Sequence, residues 1–184
     1  MAAIAAVGLM AAPAKAAVTD TADTVVTFLL EEGLLEISAP AAVTLGDVDG
    51  DSQPPGSLIA GQMGVVTVTD NRGAADATWT ATVSSTAFCI GVCGADPSLT
   101  VPASAVLYWS GVELAPPVGD GTFTEGQTDA TDAVPLSTAP VAFSHDGGTG
   151  INSVSWNPTL EIQTAVTNQA GTYTGTVTHS VADA

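Results

Sequence analysis

The chain has 184 residues, of which 46% are hydrophobic, 5% aromatic and 11% charged. Lys and Arg number 2 against 19 Asp and Glu, which gives a formal net charge of -17 at pH 7. Because so few cations cannot neutralise phosphate groups, nucleic acid is excluded as a natural partner, and an anionic membrane surface is disfavoured for the same reason. The charge fits a protein kept in solution outside the cell, or one that attracts divalent cations or a basic partner surface.

The N-terminus has the features of a secretory signal peptide. The apolar run Ile4–Met10 is followed by Ala14-Lys15-Ala16, which fits the small-x-small cleavage pattern. The run is too short to span a bilayer as a retained helix. Since no positively charged start precedes it, an ordinary N-terminal segment is the alternative. We predict a signal peptide at residues 1–17 and a secreted mature domain at residues 18–184 that does not insert into a membrane.

Two strands are predicted at the start of the mature chain. In Thr24–Leu30, the side chains of Val26, Phe28 and Leu30 share one face, and Leu35 and Ile37 mark a second strand. The turn Glu31-Glu32-Gly33 between them would allow the two strands to pair as a hairpin.

An acidic loop follows, with carboxylates at the alternate positions Asp47, Asp49 and Asp51. This spacing resembles the first half of a calcium-binding loop. Position 12 of that loop would be a bidentate Glu, but here it is Leu58. Two interpretations stay open, an acidic Pro/Gly-rich loop and a calcium site completed by distant residues.

The central pattern is strand, polar turn, strand. Leu58–Thr69 and Ala77–Phe88 alternate apolar and polar residues and are predicted to pair with each other. In its predicted strand, Trp79 is on the same face as aliphatic residues, so its ring is predicted to anchor the core. The same argument applies to Trp156.

The sequence places Arg72 in the polar turn predicted between these strands. We predict a structural role, in which Arg72 pairs with Asp70 or a neighbouring carboxylate and donates hydrogen bonds to carbonyl groups. Contact with a ligand is the alternative.

The two cysteines, Cys89 and Cys93, are close in sequence, and in an exported chain such a pair favours one disulfide. It would hold a loop rather than the fold, because the closed loop is small. Redox activity and zinc binding are weaker alternatives, since the spacing is C-x3-C and both histidines are distant in sequence.

Tyr108 and Trp109 are adjacent in a short predicted strand, Ala105–Gly111. Neighbouring residues of a strand face opposite ways, so one ring is expected in the core and the other on the surface. The outward ring of this pair is a candidate contact for sugar or protein, and edge packing under a loop is the alternative.

The two histidines do not form a catalytic pattern with a nucleophile. His145-Asp146 lies in a Gly-rich loop with no nucleophile elbow nearby, and no phosphate-binding helix or lysine follows that loop. His179 falls on the apolar parity of the last strand, which indicates a core histidine with a hydrogen-bond partner. We predict that the protein is not an enzyme and needs no cofactor, the candidate calcium site aside.

Short strands separated by loops, without a helix-period segment after the signal, predict an all-β fold. We expect an antiparallel β-sandwich of immunoglobulin-like, Greek-key style.

Several motifs resemble the WxL domain of Gram-positive surface proteins. They are Val68-Thr69-Asp70-Asn71-Arg72-Gly73, the strand headed by Trp79, the strand from Trp156, and the closing Ala170-Gly171-Thr172-Tyr173-Thr174-Gly175-Thr176-Val177-Thr178. The resemblance covers about residues 58–182. Both Trp-x-Leu triplets lack their Leu, since they read Trp79-Thr80-Ala81 and Trp156-Asn157-Pro158, which suggests a divergent, Ala-rich, actinobacterial-type relative.

The resemblance implies non-covalent attachment to the cell wall, with peptidoglycan as ligand, and assembly with other surface proteins. We therefore expect a secreted, cell-wall-associated protein that binds wall polymer or partner proteins and performs no catalysis. The alternative is a structural subunit that self-assembles by adding strands at exposed sheet edges.

Overall fold

The computed structural model describes residues 21–46, 53–94 and 96–184. The predicted signal peptide and the Asp47, Asp49 and Asp51 loop lie outside these residues. The chain divides into two units, Met1–Leu30 and Glu31–Ala184. In the first unit, residues 21–30 form no strand and their side chains are exposed, so the predicted strand at Thr24–Leu30 and its hairpin are wrong.

The second unit is built from strands and three short 3-10 turns, Pro97–Leu99, Ala103–Ala105 and Ala130–Asp132. The strands among the described residues are β1 (Leu35–Ser38), β2 (Leu58–Gln62), β3 (Val66–Ala74), β4 (Trp79–Ser85), β5 (Phe88–Cys89), β6 (Thr100–Val101), β7 (Val106–Trp109), β8 (Thr122–Glu125), β9 (Val134–Pro135), β10 (Val141–Asp146), β11 (Gly150–Trp156), β12 (Thr159–Gln163) and β13 (Val177–Asp183).

These strands form antiparallel sheets. Sheet 1 has the order β1-β3-β11, sheet 2 the order β13-β4-β10-β8, and sheet 3 the order β2-β12-β7-β9, while β5 and β6 make a small ribbon. The predicted all-β sandwich is confirmed. Within sheets 1 to 3, no strand pairs with the strand that directly precedes or follows it in the chain.

Sheets 1 and 3 are joined because two stretches of chain run through both. The β2–β3 stretch and the β11–β12 stretch lie side by side, first as β12 with β2 and then as β11 with β3. Between them the amide of Met63 donates a hydrogen bond of 2.8 Å to the carbonyl oxygen of Pro158. Proline has no amide hydrogen to donate to the ladder, which interrupts the regular strand at this point.

Sheet 2 packs against both other sheets across one hydrophobic core. Phe143 of sheet 2 stacks on Trp156 of sheet 1 with ring centroids 5.1 Å apart. Trp79 and Trp156 are both fully buried, so their predicted role as core anchors is confirmed. The alternation of buried and partly exposed residues along β4, with Trp79, Ala81 and Val83 inside, is the pattern expected of a half-buried strand.

The prediction that the two central strands pair with each other is wrong. β3 pairs with β1 and β11 in sheet 1, whereas β4 pairs with β10 and β13 in sheet 2. The chain therefore crosses the core between Ala74 and Trp79, and the inward side chains of the two strands face each other. The alternation of apolar and polar residues determines which side chains point inward. It is equally consistent with two strands that pair as a hairpin and with two strands that lie in opposite sheets.

A buried polar network holds this crossing. The carboxylate of Asp70, which is fully buried on β3, accepts hydrogen bonds from Arg72 Nε at 2.9 Å and Nη2 at 2.8 Å. It also accepts one from Asn152 Nδ2 at 3.2 Å. The Oδ1 atom of Asn152 in turn accepts the indole N–H of Trp79 at 2.8 Å. These hydrogen bonds thus connect sheet 1 to Trp79, the residue at which sheet 2 begins.

Arg72 extends the network to the last strand. Its Nη1 atom pairs with the carboxylate of Asp183 at the end of β13, and its Nη2 atom donates to the carbonyl oxygen of Thr78 at 3.3 Å. Arg72 thus makes the contacts predicted from the sequence, one with the Asp70 carboxylate and one with a backbone carbonyl group. Burial tends to raise the pKa of Asp70, but the hydrogen bonds from Arg72 outweigh it, so that pKa lies below its ordinary value. The bond to Asp70 likewise raises the pKa of Arg72.

We predict that Asp70→Asn lowers the free energy of unfolding by about 3 kcal/mol, because it leaves the largely buried guanidinium of Arg72 without its main partner. Urea unfolding at pH 7 measures the effect. Since the pKa of Asp70 is lowered by folding, the difference between wild type and variant should disappear as the pH falls below the ordinary value of 3.8.

The matched control is Asp183→Asn, which removes the other carboxylate of Arg72. The side chain of Asp183 is 74% exposed, so this variant should cost less than about 1 kcal/mol. Equal losses for the two variants would contradict the assignment of Asp70 as the main partner.

Candidate functional site

The adjacent aromatic residues of β7 face opposite sides of sheet 3, as predicted. Tyr108 is fully buried, whereas Trp109 is half-buried on the outer face. Tyr108 is thereby removed as a ligand contact, because its ring lies within the core. Ligand binding by Trp109 stays a prediction.

Trp109 belongs to a row of three outward side chains. It lies directly opposite Thr159 on β12, and Thr159 lies opposite Gln62 on β2. Directly opposite residues of an antiparallel pair point to the same face, and adjacent strands are about 4.8 Å apart. The indole, the hydroxyl and the amide therefore line up over about 10 Å of sheet surface. We call this row the Trp109 strip.

The strip offers both an apolar surface and hydrogen-bonding groups. Within the described part of the chain, the indole N–H of Trp109 donates no hydrogen bond. The next row of the same face contains Glu161 opposite Leu107, which places one carboxylate beside an otherwise uncharged surface. Neither Thr159 nor Gln62 stands out in the sequence; only their register with Trp109 identifies them.

A second outward surface, on sheet 2, is covered with hydroxyl groups. Across the ladders Thr178 faces Ser84, Ser180 faces Thr82, and Ser144 faces both Thr80 and Thr124. These residues are exposed or half-buried, whereas the alternate residues of β4 are buried. We call this surface the hydroxyl face. Its Ser and Thr side chains are uncharged, although the protein has a net charge of -17, and the exposed carboxylate of Asp146 lies at its margin, opposite Thr122.

On the inner side of the same strand, Tyr108 connects two core rings. Its hydroxyl accepts a hydrogen bond from Trp156 Nε1 at 3.2 Å and lies 3.2 Å from His179 Nε2. Because the indole can only donate, the tyrosine proton is free to be donated to a neutral His179. Burial raises the pKa of Tyr108 well above its usual range. Burial also lowers the pKa of His179, to about 4. The predicted core role of His179 is confirmed.

His145 lies near the end of β10 and not in the loop predicted for it, and its ring contacts two loops. It is buried, its Nδ1 atom lies 2.7 Å from the carbonyl oxygen of Ala77, and its Nε2 atom lies 2.8 Å from that of Asp120. Its ring packs between Trp79 and Phe123, with centroids 5.8 and 4.3 Å away. Both nitrogens thus face backbone oxygen atoms inside the core, and neither is directed toward a surface where a substrate would bind.

Cys89 and Cys93 form a disulfide, as predicted. A shallow cleft of about 520 Å³ lies beside this loop, lined among others by Pro97, Val101 and Asn168. The side chain of Asn168 is already engaged, since its Nδ2 atom donates to the carbonyl oxygens of Ser98 and Thr100. The cleft is a largely apolar depression whose main buried polar group serves the protein's own backbone.

The candidate calcium ligands Asp47, Asp49 and Asp51 lie outside the described residues, and calcium binding there stays a prediction. In the part of the chain that the structure describes, no cluster of three or more His, Cys, Asp or Glu side chains is arranged to hold a metal ion. The same part contains no helix with the length and apolar character needed to cross a bilayer.

No family model matches the chain, and no curated protein or solved structure is significantly similar to it.

We predict that acidification destabilises the protein in part through His179. An unfolded histidine has a pKa of about 6.5, above the value of about 4 in the fold. The unfolded state therefore binds more protons between these values, and the stability present above pH 6.5 is lost as the pH falls toward 4. For this half-buried group, the loss between pH 7 and 4.5 should be about 2 kcal/mol.

The test compares the free energy of unfolding of wild type and His179→Gln at pH 7 and 4.5. The difference between the two proteins should shift by that amount in favour of the variant at low pH. Thr178→Gln, on the exposed face of the same strand, should keep the wild-type pH profile. Parallel profiles for wild type and His179→Gln would show that His179 does not titrate as described.

Proposed function

We propose that the protein is a secreted, non-catalytic β-sandwich that attaches non-covalently to the cell surface by binding wall glycan or partner surface proteins. The observation that carries the proposal is the Trp109 strip, in which a half-buried indole is aligned with a hydroxyl and an amide on one sheet face. The resemblance of the sequence to WxL domains adds the expectation that the ligand is peptidoglycan.

The chemistry of the strip suits a sugar chain. One side of an indole ring can pack against the apolar face of a sugar, while its N–H and the neighbouring Thr159 and Gln62 exchange hydrogen bonds with hydroxyl and acetamido groups. A flat row of this kind fits an extended polymer better than a small molecule, which normally requires a concave pocket.

The net charge of the protein indicates which wall polymers it could bind. A body with a net charge of -17 repels polyanions, so neutral glycan strands are favoured over phosphate-rich wall polymers. The hydroxyl face of sheet 2 supports the same choice, because Ser and Thr side chains offer neutral donors and acceptors. Glu161, beside the strip, would add an acceptor for an amide or amine of the polymer.

A second candidate function is that of a structural subunit that assembles by strand addition. It is favoured by strands at the sheet edges, above all β13, which pairs on one side with β4. An edge strand presents unpaired backbone groups to which another strand can bind.

We predict that the protein co-sediments with purified, insoluble Gram-positive peptidoglycan and that Trp109→Ala weakens this binding about tenfold, as expected for removal of an aromatic anchor. Thr159→Val, which keeps the side-chain shape and removes the hydroxyl, should give a smaller loss. Thermal unfolding of each variant establishes that the fold is intact.

The matched control is Leu114→Ala, which truncates an apolar side chain that is 55% exposed outside the strip and should leave binding unchanged. Retention of wild type no greater than that of an unrelated acidic β-sandwich would overturn the proposal. Undiminished binding by folded Trp109→Ala would remove the strip as the binding surface.

A further inference from the structure

Residues Thr24–Leu30 form an exposed apolar segment. The side chains of Val25, Val26, Phe28, Leu29 and Leu30 are between 79% and 93% exposed. No charged residue occurs between Asp23 and Glu31, although the chain as a whole is strongly acidic. The residue types are those of a strand, and so much contiguous exposed apolar surface marks a site of interaction.

The compact unit Glu31–Ala184 has an incompletely covered edge. β1 is the edge of sheet 1 and β13 the edge of sheet 2, and Cα atoms of the two strands approach within 8 Å. Their inward side chains, Leu35 and Ile37 on β1 and Val177 and Val181 on β13, pack on the core but are only half-buried. We call this edge the β1–β13 seam.

Side chains in the equivalent positions of the central strands are covered much more completely. Val66 and Val68 on β3 and Ala81 and Val83 on β4 are at most 1% exposed. The apolar residues of the seam therefore lack the neighbour that the interior of each sheet provides. An added strand would supply both a cover for these side chains and partners for the unpaired backbone groups of β13.

We propose that residues 24–30 of one copy add as a strand to the free edge of β13 in a second copy. This inference deepens the second candidate function and rests on it. The donor has seven residues and β13 also has seven, whereas β1 offers four. In an added strand Val26, Phe28 and Leu30 share one face, which would lie over the half-buried Val177 and Val181.

Each copy carries one donor and one acceptor, so the contact is head-to-tail and can repeat from copy to copy. The donor itself brings no charge to the interface. The two bodies still repel each other, since each has a net charge of -17, and assembly should therefore strengthen as salt screens that repulsion.

The first test is light scattering of the full chain over a range of protein and salt concentrations. Wild type should form oligomers, and Phe28→Asp should weaken assembly at least about tenfold, since it places a charge in the covered face. Val166→Asp, at a position that is 84% exposed in the compact unit, adds the same charge and should assemble like wild type. A strictly monomeric wild type, or normal assembly of Phe28→Asp, would overturn the proposal.

A second test identifies the contact itself. The middle residues of the two strands, Thr27 and Ser180, meet whichever direction the added strand takes. Oxidation of a mixture of Thr27→Cys and Ser180→Cys proteins should give a disulfide-linked heterodimer, while Thr27→Cys with Thr138→Cys, on an exposed turn, should not. If the double variant Thr27→Cys/Ser180→Cys closes within one chain and stays monomeric, the segment covers its own edge and the proposal is wrong.

Failure of assembly can be told apart from failure of wall binding. Monomeric Phe28→Asp keeps the Trp109 strip, so it should still co-sediment with peptidoglycan. Loss of wall binding by Trp109→Ala, in turn, should leave oligomerisation unchanged.

Discussion

The pairing of Asp70 with Arg72 is the interaction on which the rest of the structure depends. The sequence has two basic residues, Lys15 and Arg72, and the second of them lies largely inside the fold rather than on its acidic surface. Arg72 lies on β3 of sheet 1, where it pairs with Asp70 of the same strand, and it contacts the last strand of sheet 2 through Asp183. Because a buried ion pair is costly to separate, this contact specifies where the chain leaves one sheet and enters the other.

The network also explains the position of the first indole. Trp79 begins β4 immediately after the crossing, and its N–H is satisfied by Asn152, which in turn donates to Asp70. The second indole, Trp156, is satisfied by Tyr108 instead. Each large ring is thus held in the core by a polar partner from another strand, which allows a chain with few aromatic residues to fix the packing of sheet 2 against sheets 1 and 3.

The pattern of alternation predicted the inward residues well and the pairing of strands poorly. The buried roles of Trp79 and Trp156, the opposite directions of Tyr108 and Trp109 and the bond between Asp70 and Arg72 are local properties that spacing reveals. The predicted pairing of the two central strands failed because every ladder in sheets 1 to 3 joins strands that are not consecutive. A local pattern cannot show which distant strand is the partner. The role of Asn152 in the polar network was not predicted, for the same reason. A signal for it does exist, because this polar residue is on the same inward-facing side of its strand as Val154 and Trp156.

The same separation of inside and outside determines what the surface can bind. Its carboxylates make the body strongly acidic, yet the outer rows of sheet 2 and the Trp109 strip carry hydroxyl, amide and indole groups. The carboxylates of the protein repel an anionic partner over several ångströms, even in salt. The uncharged rows interact with a partner only when the two are in contact. A neutral polymer or an uncharged strand can therefore approach these rows without placing like charges next to each other. The two proposed contacts, wall glycan on the Trp109 strip and the apolar segment on β13, would not compete for the same surface, because the strip is on the outer face of sheet 3, whereas β13 is an edge of sheet 2.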